Sequence, residues 1–280
     1  MEKAIKRYFP IFVLPTMIAF TLGFIIPFVE GVYLSFCKFT TVNDAKFIGF
    51  ANYAKVFADE TFVHAFWYTA AFTVVSVILI NVLAFAVALL LTKGFKGTNI
   101  FRTVFFMPNL IGGIVLGYIW QLLLNGILMK FSRTLTYSST YGFWGLIILM
   151  CWQQIGYMMI IYIAGIQNIP GELIEAAEID GATKWQILKK VTIPMVMPSI
   201  TVCTFLTLTN SFKLFDQTLA LTNGEPSKMS EMLALNIFYT FYGRTGYEGV
   251  GQAKAVIFFI LVTVIALTQN YLTRRKEVQQ

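Results

Sequence analysis

The stretch that decides the fold runs from residue 66 to residue 92 and reads FWYTAAFTVVSVILINVLAFAVALLLT. It contains no charged residue, and it is longer than the ~20 helical residues that cross a hydrocarbon core of ~30 Å. Hydrophobic residues make up 57% of the chain and charged residues 12%. Soluble domains have roughly 45 to 50% and about 25%. We therefore predict an all-α integral membrane protein.

Five further apolar runs, bounded by charged or turn residues, complete the pattern. The six predicted spans are residues 9–36, 66–92, 103–124, 142–168, 192–214 and 253–273. The segments between them are too short for a substantial soluble domain, so residues 1–280 are expected to form a single transmembrane domain. The first run follows basic residues, as a signal peptide would, but it is too long and lacks a small-residue cleavage site. We expect it to remain as a membrane anchor.

Basic residues near the span ends indicate the orientation, because Lys and Arg in short loops resist translocation. With the N-terminus inside, twelve of the 21 basic residues fall on the cytoplasmic side. Six spans then place the C-terminus in the cytoplasm as well, and residues 37–65, 125–141 and 215–252 outside. The net charge of +7 is then explained by anionic lipid headgroups, without nucleic acid. The basic residues on the predicted cytoplasmic side are Lys3, Lys6, Arg7, Lys93, Lys96, Arg102, Lys184, Lys189, Lys190, Arg274, Arg275 and Lys276.

Helix interruptions inside the spans indicate a packed bundle. Pro10, Pro15, Pro27 and Pro108 each remove a backbone donor, which a membrane tolerates only where neighbours satisfy the freed groups. Gly113 and Gly117 have the small-xxx-small spacing that lets two helices approach closely, although chance matches are common in apolar runs.

Residues that commonly carry chemistry are few. Cys37, Cys151 and Cys203 are isolated from one another, and His64, read as a loop residue, is the single histidine. Neither a metal site, a disulfide framework nor a cofactor is predicted. The Gly249-Val250-Gly251 segment lacks the strand and helix that dinucleotide binding requires.

One predicted cytoplasmic loop, residues 168–183, reads NIPGELIEAAEIDGAT and has the signals of a short helix. Pro170 stands near a first helical position, Glu172 is placed at the positive end of the helix dipole, and Asp180-Gly181 can end the helix in a left-handed turn. Leu173, Ala176 and Ala177 share a face that can approach a partner closely. The alternative is a linker helix on lipid headgroups, which would prefer basic residues.

The same loop resembles a family signature, carried by Glu175, Ala176, Ala177, Gly181, Val191, Ile193 and Pro194. They are similar to the Glu-Ala-Ala, Gly and Ile-x-Leu-Pro pattern of permease subunits in type I ATP-binding-cassette importers, with Val191 and Ile193 as mild departures. Residues 211–216, 221–226 and 251–255 resemble the sugar-type branch, although a second Gly usually stands at Glu225.

The resemblance implies a coupling helix, with its core from Leu173 to Asp180, that docks on a separate ATPase. The chain has no GxxxxGK[ST] phosphate loop, so it is expected to be non-catalytic. The implied partners are a second permease, two ATPase copies and an extracellular solute-binding protein. The implied coupling residues are Glu172, Leu173, Glu175, Ala176, Ala177, Asp180 and Gly181.

Polar residues at membrane depth are the candidates for a sugar site, because a sugar must exchange its water hydrogen bonds for protein ones. Bonding between helices is the equal alternative for each of them. The resemblance to the sugar-binding permease of maltose-type importers adds that most of these positions line the substrate. The candidates are Asn109, Gly113, Gln153, Gln154, Tyr157, Asn210, Ser211 and Leu214.

Charged residues near the span ends are open to several interpretations. They could line an outer mouth, pair with one another or reach the headgroups. Snorkelling to the headgroups is favoured for the two lysines. The residues are Glu30, Lys213, Asp216 and Lys254. The external segment 222–248, with an amphipathic stretch from Glu231 to Tyr242 near the surface, would receive a binding protein or simply cap the bundle.

Three functional hypotheses remain at this point. The first is the importer permease for a sugar or another polar solute such as a glycerol phosphate. The second is a self-sufficient secondary carrier, which should show deep acidic sites and symmetry between its halves. The third is a membrane enzyme, which would need clustered His, Asp or Glu. The sequence favours the first.

Overall fold

The computed structural model describes residues 2–94 and 96–275, with the side chains of residues 2–8 and 10 left undescribed. Five helices within these ranges are long and apolar enough to cross a membrane: Ile11–Leu34, Glu60–Leu91, Gly113–Phe131, Ser139–Gln167 and Glu248–Arg274. A sixth span is added if Lys184–Met195 and Met197–Phe212, which meet at 69°, count as one broken span. The predicted all-α membrane fold is confirmed.

The α-helices are numbered in chain order. They are α1 Glu2–Phe20, α2 Ile26–Leu34, α3 Ala51–Phe57, α4 Glu60–Leu91, α5 Thr98–Phe106, α6 Gly113–Leu128, α7 Ser139–Gln167, α8 Gly171–Ile179, α9 Lys184–Ile187, α10 Ile193–Met195, α11 Met197–Phe212, α12 Asp216–Leu221, α13 Leu233–Tyr242 and α14 Glu248–Arg274. Two short antiparallel strands, β1 Cys37–Lys38 and β2 Lys46–Phe47, are the strand elements of the described ranges.

The chain divides into two compact units, each described by itself. The smaller unit comprises residues 1–60 and 237–260. A π-helical turn, Thr21–Ile25, separates α1 from α2 just before Pro27. The side-chain amide of Asn52 donates to the carbonyls of Ser35 (2.9 Å) and Cys37 (2.8 Å), and so ties α3 to the residues that follow α2.

Lys254 is the main correction within this unit. Snorkelling to the headgroups is wrong, because the side chain is fully buried and its ammonium pairs with Asp59 at 2.7 Å. It also donates to the Thr240 hydroxyl at 2.8 Å. A buried ammonium needs such partners because an isolated charge is costly to remove from water.

The larger unit comprises the described residues within 61–236 and 261–280 and holds the main hydrophobic core. Phe72 and Ile80 of α4 and Met158 and Tyr162 of α7 are almost completely buried in it. Tyr162 donates its hydroxyl to the Asn81 side chain at 2.7 Å, so a polar bond also joins these two helices. Lys276, one of the predicted topology markers, lies outside the described residues.

Two predicted spans are broken. The third, expected over 103–124, is interrupted by a 3₁₀ turn at Met107–Leu110, as Pro108 indicates, and a new helix starts at Gly113. The fifth, expected over 192–214 without a break, bends at Val196, between Pro194 and Pro198. After the fifth predicted span, residues Asp216–Leu221 form α12, which packs along α6.

Glycines set the closest helix contacts of the larger unit. A Cβ at Gly113 would lie 2.7 Å from the Cβ of Asp216, and one at Gly117 would lie 2.7 Å from that of Ala220. The small-xxx-small spacing therefore serves α12 of the same chain. At Gly156 of α7, a Cβ would overlap the carbonyl of Phe105.

One further expectation needs correction. His64 is not in a loop; it lies in the first turns of α4, where its Nε2 is 3.0 Å from the carbonyl of Met229. The amphipathic stretch expected from Glu231 to Tyr242 forms α13 from Leu233, with Leu235 fully buried and Tyr242 74% exposed, while Glu231, 1% exposed, lies just before the helix. Glu231 accepts a hydrogen bond from Asn236 at 2.8 Å, which accounts for its burial.

Candidate functional site

The helix between the fourth and fifth predicted spans is α8, and it is largely exposed. No residue of α8 is buried. Pro170 is its N-cap rather than its first residue, with φ −58° and ψ 127°. The chain leaves α8 through Gly181 at φ +76°, the left-handed conformation that the sequence predicts.

Exposed apolar side chains lie on and beside α8. Ile179 is 86% exposed and Leu173 is 43% exposed, while Trp185 of α9 is 63% exposed and lies 5.4 Å from the Lys189 ammonium. Ala176 is exposed and Ala177 half-buried. Ile179 was not among the predicted coupling residues, although its position three residues after Ala176 places it close to the same face.

A cavity of about 330 Å³ adjoins the C-terminal end of α8. Its position is fixed by the start of α9, where the Thr183 N–H donates to the Gln186 side chain at 2.7 Å in a capping box. The lining residues are Ala177, Asp180, Gly181, Ala182, Gln186, Ile187, Lys190 and Val191. The predicted coupling residues at the end of the helix therefore border a concave surface.

A second cavity, of about 310 Å³, lies where α11 ends and α12 begins. Its lining combines amides and both signs of charge with a few apolar side chains. The lining residues are Met150, Gln154, Asn210, Lys213, Leu214, Phe215, Asp216 and Gln217. We call it the α11–α12 cavity.

Side-chain amides hold one wall of this cavity in place. Gln217 donates to the side-chain oxygen of Gln153 at 2.9 Å, and Gln153 donates to the Ile111 carbonyl at 3.4 Å. These two hydrogen bonds join α12 and α7 to the break between α5 and α6. Gln153 lies midway along α7, so the cavity lies at mid-span depth beside two discontinuous helices, as in many transporter substrate sites.

The predicted substrate residues are only partly gathered there. Gln154, Asn210 and Leu214 line the cavity, and Gly113 and Gln153 contact lining residues. Ser211 is fully buried on α11, Tyr157 is half-buried against the core, and Asn109 is half-buried in the 3₁₀ turn. Met150, Phe215 and Gln217 were missed, because the return of the chain after Phe212 has no strong local signal.

Polar groups of the α11–α12 cavity are left without partners. The Gln154 Oε1 atom is buried and accepts no hydrogen bond within residues 2–94 and 96–275. Lys213 and Asp216 are exposed at the cavity, and neither has an ion-pair partner in the described part of the chain. A ligand would therefore find acceptors and donors that the protein itself does not use.

These features are those of a transport protein, and sequence comparison decides the family. The model of the family described as "Binding-protein-dependent transport system inner membrane component" matches residues 80–278. The chain belongs to this family. The membership makes it a multi-pass transport component.

Other inner membrane components of this kind match along nearly their whole length. A probable starch degradation products transport system permease protein, AmyD of Thermoanaerobacterium thermosulfurigenes, is 42% identical over 96% of this chain and 94% of the relative. A multiple sugar-binding transport system permease protein, MsmF of Streptococcus mutans, is 28% identical over 99% of both.

A solved structure shows the same fold for this inner membrane component. A chain of a bacterial transporter involved in the import of the acidic polysaccharide alginate superposes with a TM-score of 0.82. It covers 98% of each chain at 23% sequence identity. The five to six candidate spans of this chain are therefore arranged in the fold of a chain from a bacterial ABC transporter.

Proposed function

We propose that this chain is the permease subunit of an ATP-driven importer for a sugar or oligosaccharide, non-catalytic in itself, and that residues 1–280 form one permease domain. The carrying observation is α8, which exposes apolar side chains and buries none. In a protein whose family moves solutes with binding proteins, such a helix is suited to transmit force from another subunit.

The coupling role follows from exposure and helix ends. Ile179 and Leu173 present apolar surface suited to a partner, and Glu172 and Glu175 provide charges for a basic rim. We assign coupling to Glu172, Leu173, Glu175, Ala176, Ala177, Asp180 and Gly181. The partner is a cytoplasmic ATPase in two copies, and a second permease of similar fold completes the pathway.

A sugar is favoured as substrate by the relatives and by the α11–α12 cavity. The printed names of the relatives refer to starch degradation products and multiple sugars. Amides of Gln154, Asn210 and Gln217 suit hydroxyl groups, which both donate and accept. The substrate-binding residues proposed are Asn109, Gly113, Gln153, Gln154, Tyr157, Asn210, Ser211 and Leu214.

The orientation proposed for the chain has both termini in the cytoplasm and α8 on the cytoplasmic side of the cell membrane. It is supported by the basic residues near the span ends. An extracellular solute-binding protein would deliver the sugar to the opposite side.

Reconstitution tests the function directly. The chain is placed in proteoliposomes alone, then with its second permease and ATPase, and sugar uptake is measured with and without ATP. We expect uptake only from the complete assembly with ATP. Uptake by the lone chain in a proton or sodium gradient would instead establish a secondary carrier.

Variants of the α8 region test the coupling step. Ile179→Asp places a charge on a side chain that is 86% exposed, and Gly181→Asp forces a non-glycine residue to φ +76°. Both should leave the membrane fold intact and weaken co-purification of the ATPase and uptake. Val42→Asp, on a side chain that is 64% exposed outside the spans, is the matched control. Normal uptake in both α8 variants would refute the coupling role.

A further inference from the structure

The α11–α12 cavity contains two opposite charges that do not form an ion pair with each other. Lys213 follows the end of α11 and Asp216 begins α12. Their charged atoms are not within ion-pair distance of each other, and no ion pair or hydrogen bond of either head group is found in the residues described. Both charged head groups are therefore available to bind a ligand.

The location makes these free charges significant. Gln217, the neighbour of Asp216, bonds to Gln153 at the midpoint of α7, so the charges are placed at mid-span depth. A charge at that depth is costly, and it persists where it lines a watery cavity or serves a ligand. Lys213 and Asp216 are therefore not explained as charged surface residues that keep a protein soluble.

The backbone keeps both residues at the cavity. Gly113 lets α12 approach α6 so closely that the Cβ of Asp216 lies 2.7 Å from the position a Cβ would take on that glycine. Lys213 stands at the C-cap of α11, whose N–H bonds back to the Thr209 carbonyl at 3.2 Å. The separation of the two charges is thus set by helix ends rather than by a flexible loop.

We propose that Lys213 and Asp216 determine specificity by keeping the cavity electrically neutral, so that it accepts uncharged sugars and rejects acidic and basic ones. The inference rests on the proposed function. The ammonium donates to sugar hydroxyl oxygens and the carboxylate accepts from hydroxyl groups, both as charge-assisted hydrogen bonds. A uronate is attracted by Lys213 but repelled by Asp216, and an amino sugar is attracted by Asp216 but repelled by Lys213, so neither gains net charge attraction while both residues are present.

The test measures ligand binding by the assembled transporter in nanodiscs without its binding protein, which would impose its own selectivity. The probes are maltotriose, a galacturonic acid trimer, a glucosamine trimer and a free amino acid, titrated by calorimetry. The wild type should prefer maltotriose. Asp216→Asn should raise the affinity for the acidic trimer relative to maltotriose about tenfold, and Lys213→Gln should do the same for the basic trimer.

Controls and contrary outcomes separate this inference from the proposed function. Glu225→Gln and Lys228→Gln remove the same charges from exposed residues that do not line the cavity, and they should change neither ratio. Unchanged ratios in Asp216→Asn and Lys213→Gln, with ATP-driven sugar uptake intact, would overturn the inference alone. Preferential binding of the amino acid would also overturn it. Absence of binding of every trisaccharide by the wild type would overturn the inference, whereas absence of ATP-driven sugar uptake by the complete assembly would overturn the proposed function.

Discussion

The buried pair of Lys254 and Asp59 predicts an asymmetric cost of substitution. The Lys254 side chain is 0% exposed and that of Asp59 is 20% exposed. Asp59→Asn leaves a fully buried ammonium without its carboxylate, which costs about 3–5 kcal/mol. Lys254→Met leaves a carboxylate that water can partly reach and replaces the buried ammonium with an uncharged side chain of similar length, so the cost should be about 1–2 kcal/mol.

The double variant completes the cycle. With both charges gone, Lys254→Met with Asp59→Asn should be more stable than Asp59→Asn alone, because no unpaired buried charge remains. Thermal unfolding of the purified chain gives the order, and Asp59→Asn should lower Tm by about 6–15 °C. Exposed Lys228→Met is the control and should cost no more than about 0.5 kcal/mol. A larger loss in Lys254→Met than in Asp59→Asn, or strictly additive losses, would refute the reasoning.

Two further outcomes follow from close packing and from a loop carboxylate. Gly156→Ala should lower stability by about 3 kcal/mol in thermal unfolding, because its Cβ would overlap the Phe105 carbonyl. Gly126→Ala, with open space around it, should be neutral or slightly stabilising. The Thr40 N–H donates to Asp44 at 3.0 Å and lowers the pKa of that carboxyl. The stabilisation of the folded loop by this carboxylate is complete above the unfolded pKa and is lost as the pH falls through the folded pKa. Hydrogen exchange of the loop amides should show this loss in the wild type and not in Asp44→Asn.

The fold class could be predicted because its signal is local. An uncharged run such as 66–92 can satisfy its backbone in a bilayer only as a helix, and Gly181 at the end of a short acidic helix indicates its own left-handed turn. The break at Pro108 was predictable for the same reason, since proline removes one backbone donor wherever it stands.

Long-range partners could not be predicted. Lys254 and Asp59 are 195 positions apart, and nothing near either residue indicates the other. The α11–α12 cavity depends on the backbone at Phe215, with φ −124° and ψ −62°, which turns the chain back toward α6 and α7. The sequence therefore identified Gln154, Asn210 and Leu214 but missed Gln217. The role of all of them in binding stays a prediction.

The exposed apolar surface of α8 affects how long the unassembled protein persists in a cell. A newly made chain without its partners displays Ile179 and Trp185 to water, the type of surface that chaperones and proteases recognise. Covering that surface on assembly would favour the bound form by mass action. Excess copies should therefore be cleared, and the amount of this subunit should follow the amount of the subunits that cover it.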